Sequence, residues 1–400
     1  MRIAFLTHEP FFPPSGGGSA EAIYLVEELV ARGHEVHIFC PKIADSAEVE
    51  KRFRVKLHEF TLWKMGRYAA LRNFKYVLYP FFLERMVRTA ARSEKFDLLL
   101  SQHTISAVAA GRLRKKLNVP VTMNFLDYLT GFMETWPGYI MPKPVLKRLE
   151  KFELSLPSKY QADAVLTVSD ALADFFADAG YPRSRLKPIY YGYDSKLFPL
   201  RDFSRTPPAT APVVVMHGSF DQHHLGPIAK QAIAQVVKQK PTTTFRFVGK
   251  QTPGLRNFVA TLKRELPNVR IECTGFVDYT QVAAHLSSAN VGIVPYEESI
   301  GTHCAFVAKI VEYLGVGLPV VSTPLRNAKS YFKHEPMISF AEFNGESLGR
   351  EILNWFEQPI EQIAPIATAA SRKVQTELDW RAISRKAVDF LEAIPRASAK

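Results

Sequence analysis

The chain has 400 residues, a hydrophobic fraction of 47% and a formal net charge of +12. This length exceeds one ordinary hydrophobic core, so we expect two or three domains, and the composition excludes a chain dominated by disorder. The three cysteines have no metal-ligand spacing and make no disulfide framework, which is typical of a reducing cytosol. No run is apolar for long enough to span a bilayer, and the first residues lack the pattern of a signal peptide.

The first elements along the chain predict a parallel sheet. Residues 2–7 are an apolar run typical of a strand, and a loop rich in Pro and Gly follows them. Ser19 can cap the next helix, which carries a helical apolar stripe and which Gly33 ends. Another strand-like run occupies 35–40, and such a strand–helix–strand unit requires a parallel sheet.

Similar units recur along the chain. Strand-like runs alternate with helical segments, a Pro-rich stretch at 199–212 indicates a linker, and a second alternation then begins. We therefore predict an α/β protein with two Rossmann-like parallel-sheet domains that face each other across a cleft. The predicted parts are 1–200 for the first domain, 201–377 for the second and 378–400 for a C-terminal helix.

Residues that directly follow strands are the first candidates for a functional site, because ligands of open parallel sheets lie beyond the carboxyl ends of the strands. In the first domain these are His103 and Asp127. An aspartate there can act as general base toward an acceptor hydroxyl, a role worth roughly 10²–10⁴ in rate, and His103 can do the same or bind substrate. The alternative is a loop-capping aspartate and a hydrogen-bonded core histidine.

Gly16, Gly17 and Gly18 lie between the first strand and the first helix. Because glycine has no side chain, the backbone N–H groups and the helix dipole are open to an anion. The spacing is neither that of a dinucleotide fingerprint nor that of a P-loop. We predict contact with a phosphate or a sugar, and the alternative is a flexible turn.

The loop after the first strand of the second domain is a further candidate. Gly218 and Ser219 begin this loop, where backbone amides can meet a diphosphate, and Lys230 follows further on. The adjacent His223 and His224 are more typical of an exposed loop than of a metal site, since the spacing indicates no third ligand. We therefore expect no metal ion.

Two charges interrupt the apolar run that follows Tyr296. Lys309 and Glu312 are one helical turn apart, so they share one helix face. One interpretation is an ion pair on a half-exposed helix, worth only about 0.3–0.5 kcal/mol. The interpretation we favour is that Lys309 neutralises a diphosphate and Glu312 accepts the hydroxyls of a ribose. A bound nucleotide then gives both charges a partner that an apolar helix lacks.

Residues 51–95 hold twelve Lys and Arg against three acidic residues, an excess of nine positive charges, together with many large aromatic residues. This mixture suits the headgroup zone of an anionic membrane. It also suits nucleic acid, but no motif that reads nucleic acid accompanies it. The remaining alternative is a solvated face with a few core aromatics.

Several motifs together resemble one enzyme family. They are P-P-S-G-G-G at 13–18, G-H-E-V at 33–36, V-S-D-A-L at 168–172, G-Y-D-S-K-L-F at 192–198, T-G-F-V at 274–277 and K-I-V-E-Y-L-G-V-G-L-P-V-V-S-T at 309–323. In this order and at these separations, the chain resembles glycosyltransferases of the GT-B fold, and it is most similar to family 4. The resemblance covers nearly the whole chain.

The resemblance implies transfer of a sugar from a nucleotide-sugar to an acceptor, with UDP as the default of the family. It implies no cofactor and no metal ion, because helix dipoles and basic side chains stabilise the leaving diphosphate. Glu312 matches the glutamate that holds the ribose of the donor, and Lys309 matches a diphosphate lysine of some relatives. Gly218 and Ser219 match the loop near the phosphates, and Lys230 is a partial match to a basic residue of the family.

The chain also departs from the family pattern. Cys304 stands where many retaining members carry the first of two glutamates, and Glu297 or Glu298 are the nearest substitutes. Other features are similar to the xanthan-type glucuronosyltransferase, an inverting enzyme of this fold. An inverting mechanism needs one base, and our hypothesis is that Asp127 is that base.

The resemblance further implies a lipid-linked or glycan acceptor in bacterial-type polysaccharide or glycolipid assembly. We expect a cytoplasmic protein that docks on the inner face of the membrane through residues 51–92, and we expect no nucleic-acid partner. Two alternatives stay open: a nucleotide-sugar 2-epimerase of similar architecture, and a non-catalytic scaffold that keeps the GT-B fold.

Overall fold

The computed structural model describes residues 1–13, 17–61, 75–136 and 138–394. They divide into two compact units, one formed by Met1–Tyr190 with the segment from Trp380 onward, and one formed by Tyr191–Asp379. The predicted limits at 200 and 377 differ from this division by ten and two residues. Each unit is built on a parallel sheet with intervening helices, which confirms the predicted α/β class with two Rossmann-like sheets.

The sheet of the first unit has the order β3-β2-β1-β4-β5-β6-β7 in the described residues. Its strands are β1 (Arg2–Thr7), β2 (Glu35–Pro41), β3 (Lys56–Phe60), β4 (Leu98–Gln102), β5 (Val121–Phe125), β6 (Ala164–Thr167) and β7 (Leu186–Pro188). The described helices of this unit that precede the second unit in the chain are α1 (Gly17–Ala31), α2 (Ser46–Phe53), α3 (Lys75–Ala90), α4 (His103–Leu117), α5 (Leu129–Phe132), α6 (Lys143–Lys159) and α7 (Asp170–Asp178).

The sheet of the second unit has the order β10-β9-β8-β11-β12-β13 in the described residues. Its strands are β8 (Val213–His217), β9 (Thr244–Val248), β10 (Arg270–Gly275), β11 (Val291–Val294), β12 (Val320–Ser322) and β13 (Ile338–Phe340). Its helices are α8 (Pro227–Gln239), α9 (Pro253–Glu265), α10 (Tyr279–Ser287), α11 (Ile300–Cys304), α12 (Ala308–Gly315), α13 (Arg326–Tyr331), α14 (Gly345–Phe356) and α15 (Ile360–Leu378).

The local sequence explains these elements. The central strands are rich in apolar residues and are buried along their whole length, as expected for a parallel sheet covered by helices on both faces. Proline opens both α8 and α9, where its missing N–H is not needed, and the Thr252 side chain accepts a hydrogen bond from Leu255 N–H to cap α9. The sequence pattern therefore sets both the sheet type and the helix starts.

The strand order reverses at one point in each sheet. In the first unit the reversal lies between β1 and β4, and in the second unit it lies between β8 and β11. Connections leave such a point in opposite directions and open a crevice at the carboxyl ends of the two strands. His103 follows β4, Gly218 follows β8 and Tyr296 lies just beyond β11, so candidate residues of both units lie at these switch points.

The structure changes one local expectation at the start of α1. The helix begins at Gly17, so Ser19 lies inside it and not at the capping position. Glu21, one turn after Gly17, is buried at 3% exposure and belongs to the core of the unit. Gly16 lies outside the described residues, and Gly17 is described by its backbone alone.

The last described helix, α16 (Trp380–Glu392), belongs to the first unit and packs against α1. The rings of Tyr24 and Trp380 are stacked with centroids 5.9 Å apart, and Arg32 donates to Glu392 at 2.8 Å. Within the described ranges, no helix is both long and apolar enough to cross a membrane.

Candidate active site

Helix α12 of the second unit carries the two charges that the sequence singles out. Lys309 is its second residue, and Glu312 lies one turn later with 6% exposure. In the described structure the two do not pair with each other: Lys309 contacts Tyr296 and His224, whereas Glu312 contacts His217. The structure therefore does not contain the simple helix ion pair that was the alternative interpretation.

The Lys309 ammonium lies directly against the backbone that follows β8. A Cβ on Gly218 would lie 2.8 Å from Lys309 Cε and 3.0 Å from Nζ, and Gly218 has a φ of +105°. Glycine is needed here both for the left-handed backbone and for the close approach. Lys309 Nζ also donates to the Tyr296 hydroxyl at 3.1 Å. The structure thus brings together Gly218, Tyr296 and Lys309, with Ser219 next in the chain.

His224 faces Lys309 with a second hydrogen-bond donor. Its Nδ1 accepts the backbone N–H of Asp221 at 3.1 Å, so we assign the proton of the neutral ring to Nε2. Nε2 lies 3.4 Å from Lys309 Nζ, which is also a donor. Two adjacent donors need an acceptor that both can reach, and an anion lying beside the pair supplies one.

Burial keeps the two histidines of this loop neutral. Burial, and next the nearby Lys309 charge, lower the pKa of His223 to about 4 and lower the pKa of His224 well below its ordinary value. The rings of both histidines pack edge-on against the ring of Tyr296, at 5.1 and 4.6 Å. At neutral pH the positive charge of this loop therefore comes from Lys309.

The structure adds a third potential metal ligand that the sequence spacing did not indicate. Asp221, His223 and His224 offer ligand atoms that all lie within 4.8 Å of one another. However, the Lys309 ammonium 3.4 Å from His224 Nε2 repels a cation, and His224 Nδ1 already accepts a hydrogen bond. The geometry favours an anion over a metal ion, and the expected absence of a metal stays a prediction.

Glu312 is oriented by two neighbours. His217 Nε2 lies 2.5 Å from one carboxylate oxygen, and the Tyr279 hydroxyl donates to the other at 2.7 Å. Because each carboxylate oxygen can accept two hydrogen bonds, the group keeps capacity for ligand hydroxyls. The sequence reasoning assigned no role to His217, although it ends β8 beside Gly218 and the rule on strand ends would have found it.

Lys230 lies away from the contacts of Lys309. It forms an ion pair with Glu265 at 2.6 Å and borders a groove of about 920 Å³ between α8 and α9. Glu297, considered as a substitute for the glutamate missing at Cys304, instead accepts the N–H of Ile228 at 2.9 Å at the start of α8. The structure thus gives Lys230 and Glu297 other partners than the nucleotide loop.

The first unit has a small pocket at its own switch point. The pocket measures about 140 Å³ and is lined by His8, Glu9, His103, Thr104, Ile105, Asp127 and Leu129. It therefore brings together His103 and Asp127, two candidates that each follow a strand. His8 and Glu9 were missed, although they directly follow β1 and satisfy the same rule.

His103 has an unusual backbone. Its φ of +66° lies in the left-handed region, which residues with a side chain seldom adopt and which recurs at functional sites. Its Nε2 lies 3.9 Å from a carboxylate oxygen of Glu9, and its ring packs edge-on against His8 at 5.1 Å. A Cβ on Gly18 would lie 3.1 Å from His103 Nε2, so this glycine lets α1 pass close to the imidazole.

Two buried carboxyl groups brace this pocket. Glu153, on α6, accepts from the Thr104 hydroxyl at 2.6 Å and from Thr130 N–H at 2.9 Å, and burial raises its pKa. Glu21 accepts from Gln102 at 2.8 Å, and burial raises its pKa to about 7. Gln102 also donates to the carbonyl of Gly18 at 2.9 Å, so the start of α1 is tied to the end of β4.

Comparison with solved structures identifies the fold. The structure is similar to the sucrose-phosphate synthase of Thermosynechococcus elongatus with a TM-score of 0.79, at 17% identity and with 98% of each chain covered. It is similar to Anabaena Alr3699/HepE, solved in complex with UDP and glucose, with a TM-score of 0.71 at 18% identity, covering 98% of this chain and 100% of that one. The fold is that of the GT-B glycosyltransferases.

Sequence comparison identifies the family. Residues 15–197 match Glycosyltransferase Family 4, and residues 211–358 match Glycosyl transferases group 1. The chain belongs to the family 4-like glycosyltransferases of the GT-B fold, as the motifs indicated.

Two curated relatives are named for polysaccharide biosynthesis. One relative is a protein of Escherichia coli K12 named as the colanic acid biosynthesis glycosyltransferase WcaL. The chain is 22% identical to it over 236 residues, and these residues are 58% of this chain. The other is a protein of Bacillus subtilis 168 named as the teichuronic acid biosynthesis glycosyltransferase TuaH. The chain is 37% identical to it over 94 residues, and these residues are 23% of this chain. The chain spans only 57% and 23% of the lengths of these relatives.

Proposed function

We propose that this protein transfers a sugar from a nucleotide-sugar to a lipid-linked or glycan acceptor. The observation that carries the proposal is the Lys309 ammonium, which is held against Gly218 and faces the Nε2–H donor of His224. A diphosphate oxygen that lies beside the two nitrogens and contacts both would satisfy both donors and neutralise the lysine.

The remaining donor contacts follow from this placement. The backbone of Gly218 and Ser219 approaches the phosphates, Tyr296 holds Lys309 in place, and Glu312 accepts the ribose hydroxyls. UDP is the nucleotide we propose for the donor, and structures of Anabaena HepE with UDP and with UDP-glucose support it. The reaction uses no metal ion, because Lys309 and the loop amides supply the positive potential that a leaving diphosphate needs.

Asp127 is the base that we propose for the transfer. Its carboxylate takes the proton of the acceptor hydroxyl while the hydroxyl oxygen attacks the anomeric carbon and the nucleoside diphosphate leaves with the bonding electrons. This displacement inverts the anomeric centre and needs no covalent intermediate. His103 shares the pocket with Asp127 and would contact the acceptor.

The names of the relatives support a place in polysaccharide assembly. We propose that the protein works in the cytoplasm on the inner face of the membrane and docks there through residues 51–92. Residues 62–74 of this stretch lie outside the described residues, and within the described part Leu78 and Phe81 are exposed apolar side chains.

A transfer assay tests the proposal. The purified protein is incubated in EDTA with radiolabelled UDP-sugars and a bacterial lipid extract, and both released UDP and labelled lipid are measured. We expect acceptor-dependent UDP release and labelled lipid in equal amounts, both absent with Asp127→Asn. An epimerase would instead convert the nucleotide-sugar without any acceptor, and a scaffold would release no UDP at all; either result contradicts the proposal.

A further inference from the structure

A groove at the edge of the second sheet has no part in the proposed reaction. It has a volume of about 400 Å³ and lies where β13 meets the end of α14 and the start of α15. In the described residues, β13 is the last strand in the order of this sheet. The volume falls in the range of roughly 300–1,000 Å³ that is usual for small-molecule sites. The polar residues of the lining are Ser339, Asn354, Trp355, Gln358 and Gln362, and the rest of the lining is proline and isoleucine.

This groove is electrically neutral. Among the described residues that line it, none has an ionisable side chain. Two other pockets of the molecule are different: Asp221 and Lys230 line the groove between α8 and α9, and histidines and carboxylates line the pocket of the first unit. Glu357 and Glu361 lie beside the amides in the sequence, but they are exposed and do not line the groove. A phosphate, a carboxylate or a metal ion therefore finds no partner of opposite charge in this lining.

Three side-chain amides offer hydrogen bonds to a ligand in the groove. Asn354, Gln358 and Gln362 are exposed, and their side chains make no hydrogen bond to any other residue that the structure describes. Each amide has two N–H donors and one carbonyl acceptor. A sugar hydroxyl is also both a donor and an acceptor, so the two kinds of group can satisfy each other. The amides therefore match a ligand that has many hydroxyl groups and no charge.

Trp355 gives the groove a flat apolar surface. Its side chain is half-buried and packs against the core of the unit, and its Nε1–H donates to Ser339 Oγ on β13 at 3.1 Å. Burial and this directed hydrogen bond together hold the indole ring in one orientation. The C–H face of a pyranose ring can pack on a fixed aromatic ring, while the hydroxyl groups of the sugar reach the polar neighbours of that ring.

The backbone between α14 and α15 holds these side chains in place. The N–H of Gln358 donates to the carbonyl of Trp355 at 3.4 Å, and the N–H of Gln362 donates to the carbonyl of Pro359 at 3.0 Å. Gln362 and Ile366 are one turn apart on α15, so they share the helix face that lines the groove. The groove is therefore already formed, and a ligand that enters it orders little of the backbone.

We propose that this groove is a separate glycan site that binds a neutral oligosaccharide, with one pyranose ring on Trp355 and hydroxyl groups on the three amides. The site lies within the second unit and uses none of the residues assigned to the nucleotide. A glycan held here would stay with the enzyme between transfers, because a second contact raises the local concentration of the chain. This last consequence rests on the proposed function, whereas glycan binding does not.

The lining argues against two other occupants. A Pro-rich peptide binds grooves that are lined by aromatic residues, whereas Trp355 is the one aromatic residue in the described lining of this groove. A nucleic-acid strand needs cations for its phosphates, and the described lining contains none. A neutral glycan needs one aromatic ring to pack on and neutral hydrogen-bonding groups around it, and this groove has both.

Fluorescence titration tests the glycan site. The protein is titrated with neutral tetrasaccharides of glucose, of mannose, of galactose and of N-acetylglucosamine, and the tryptophan emission is recorded. We expect a saturable change with at least one of these sugars. Trp355→Phe, which keeps an aromatic ring but removes the indole that reports binding, should lose that change. No change with any of the sugars, or a change that Trp355→Phe retains in full, would overturn the proposal.

Two matched variants test the amides by calorimetric titration. N354A/Q362A removes two exposed amides of the groove, and the control Q239A/Q375A removes two exposed amides elsewhere in the second unit. Neither variant changes the net charge, and alanine suits a helix. We expect N354A/Q362A to bind the tetrasaccharide at least about tenfold more weakly and the control to bind it like wild type, because only the first variant loses hydrogen bonds to the sugar. Equal affinities in the two variants, or a Pro-rich peptide that displaces the sugar from wild type, would contradict a glycan site.

UDP titration separates a failure of the glycan site from a failure of the proposed function. We expect N354A/Q362A and Trp355→Phe to bind UDP like wild type, which also shows that they are folded. Wild type that binds a tetrasaccharide but no UDP would contradict the proposed function alone. Wild type that binds UDP but no tetrasaccharide would contradict the glycan site alone.

Discussion

The two switch points of this protein occupy equivalent places in their sheets but differ in chemistry. In the second unit a lysine, neutral imidazoles and an oriented glutamate lie in direct contact around Gly218. In the first unit a small pocket holds two carboxylates, Glu9 and Asp127, together with His8 and His103. One arrangement concentrates donors and positive charge, and the other concentrates proton acceptors.

This difference follows from what each site must do under the proposed function. A site for a leaving diphosphate needs fixed donors, because preorganised donors stabilise developing negative charge without rearrangement. A site that removes a proton needs a base within reach of an acceptor hydroxyl. The same fold supplies both: residues of each site follow the strands on either side of the reversal, His8 and His103 in the first unit and Gly218 and Tyr296 in the second.

Replacing the base should give the largest effect. With Asp127→Asn we expect a loss of roughly 10²–10⁴ in the rate of transfer, because the amide accepts no proton. The affinity for UDP should change by less than about twofold, since the substitution lies in the first unit and leaves the contacts of the nucleotide loop intact. Initial rates of UDP release and calorimetric titration measure the two quantities.

Glu9→Gln is the matched control in the same pocket. It removes the other carboxylate while keeping its shape, and we expect a smaller loss of rate than for Asp127→Asn. The assignment of Asp127 would be wrong if the Asn variant kept its turnover, or if Glu9→Gln were the more damaged of the two.

Replacing His217 should change UDP binding by a smaller factor, and the change should depend on whether the new side chain still donates to Glu312. Gln places an N–H near the position of Nε2 and keeps the donation to Glu312, whereas Asn does not reach it. We expect roughly tenfold weaker UDP binding for His217→Asn and little change for His217→Gln, because a hydrogen bond to a carboxylate is lost only in the first. The loss should be smaller for 2′-deoxy-UDP, which lacks a hydroxyl for Glu312. Equal losses for both ligands would show a purely structural role.

The pH dependence of stability should show the smallest effect. His223 has a folded pKa of about 4, below its ordinary value, so the unfolded chain binds more protons between these two values. The contribution of the neutral His223 to the stability of the fold is therefore present above pH 6.5 and is lost as the pH falls toward 4. We expect His223→Gln to lose less thermal stability than wild type on acidification from neutral pH, by roughly 2–4 °C. Parallel melting curves for the two proteins would contradict the burial of a neutral His223.

The sequence predicted the sheets and the charged helix because both depend on local patterns. Apolar runs between helical segments identify buried parallel strands, and Lys309 and Glu312 stand out because charges are rare in an apolar helix. The rule on strand ends also selected His103 and Asp127, which the structure places in the lining of one pocket. These features need no knowledge of which distant residues meet.

The partners of the site residues depend on tertiary contacts and were not predictable in this way. The pairing of Glu312 with His217 joins residues 95 positions apart, and Lys230 turns to Glu265 on the neighbouring helix.

Calorimetric titration with UDP in EDTA tests the central claim most directly, using wild type, Lys309→Met and Lys230→Met. We expect wild type to bind, Lys309→Met to lose at least about tenfold for UDP and much less for uridine, and Lys230→Met to stay close to wild type, because only Lys309 meets the diphosphate. Undiminished UDP binding by Lys309→Met, or wild-type binding that requires an added metal ion, would contradict the account.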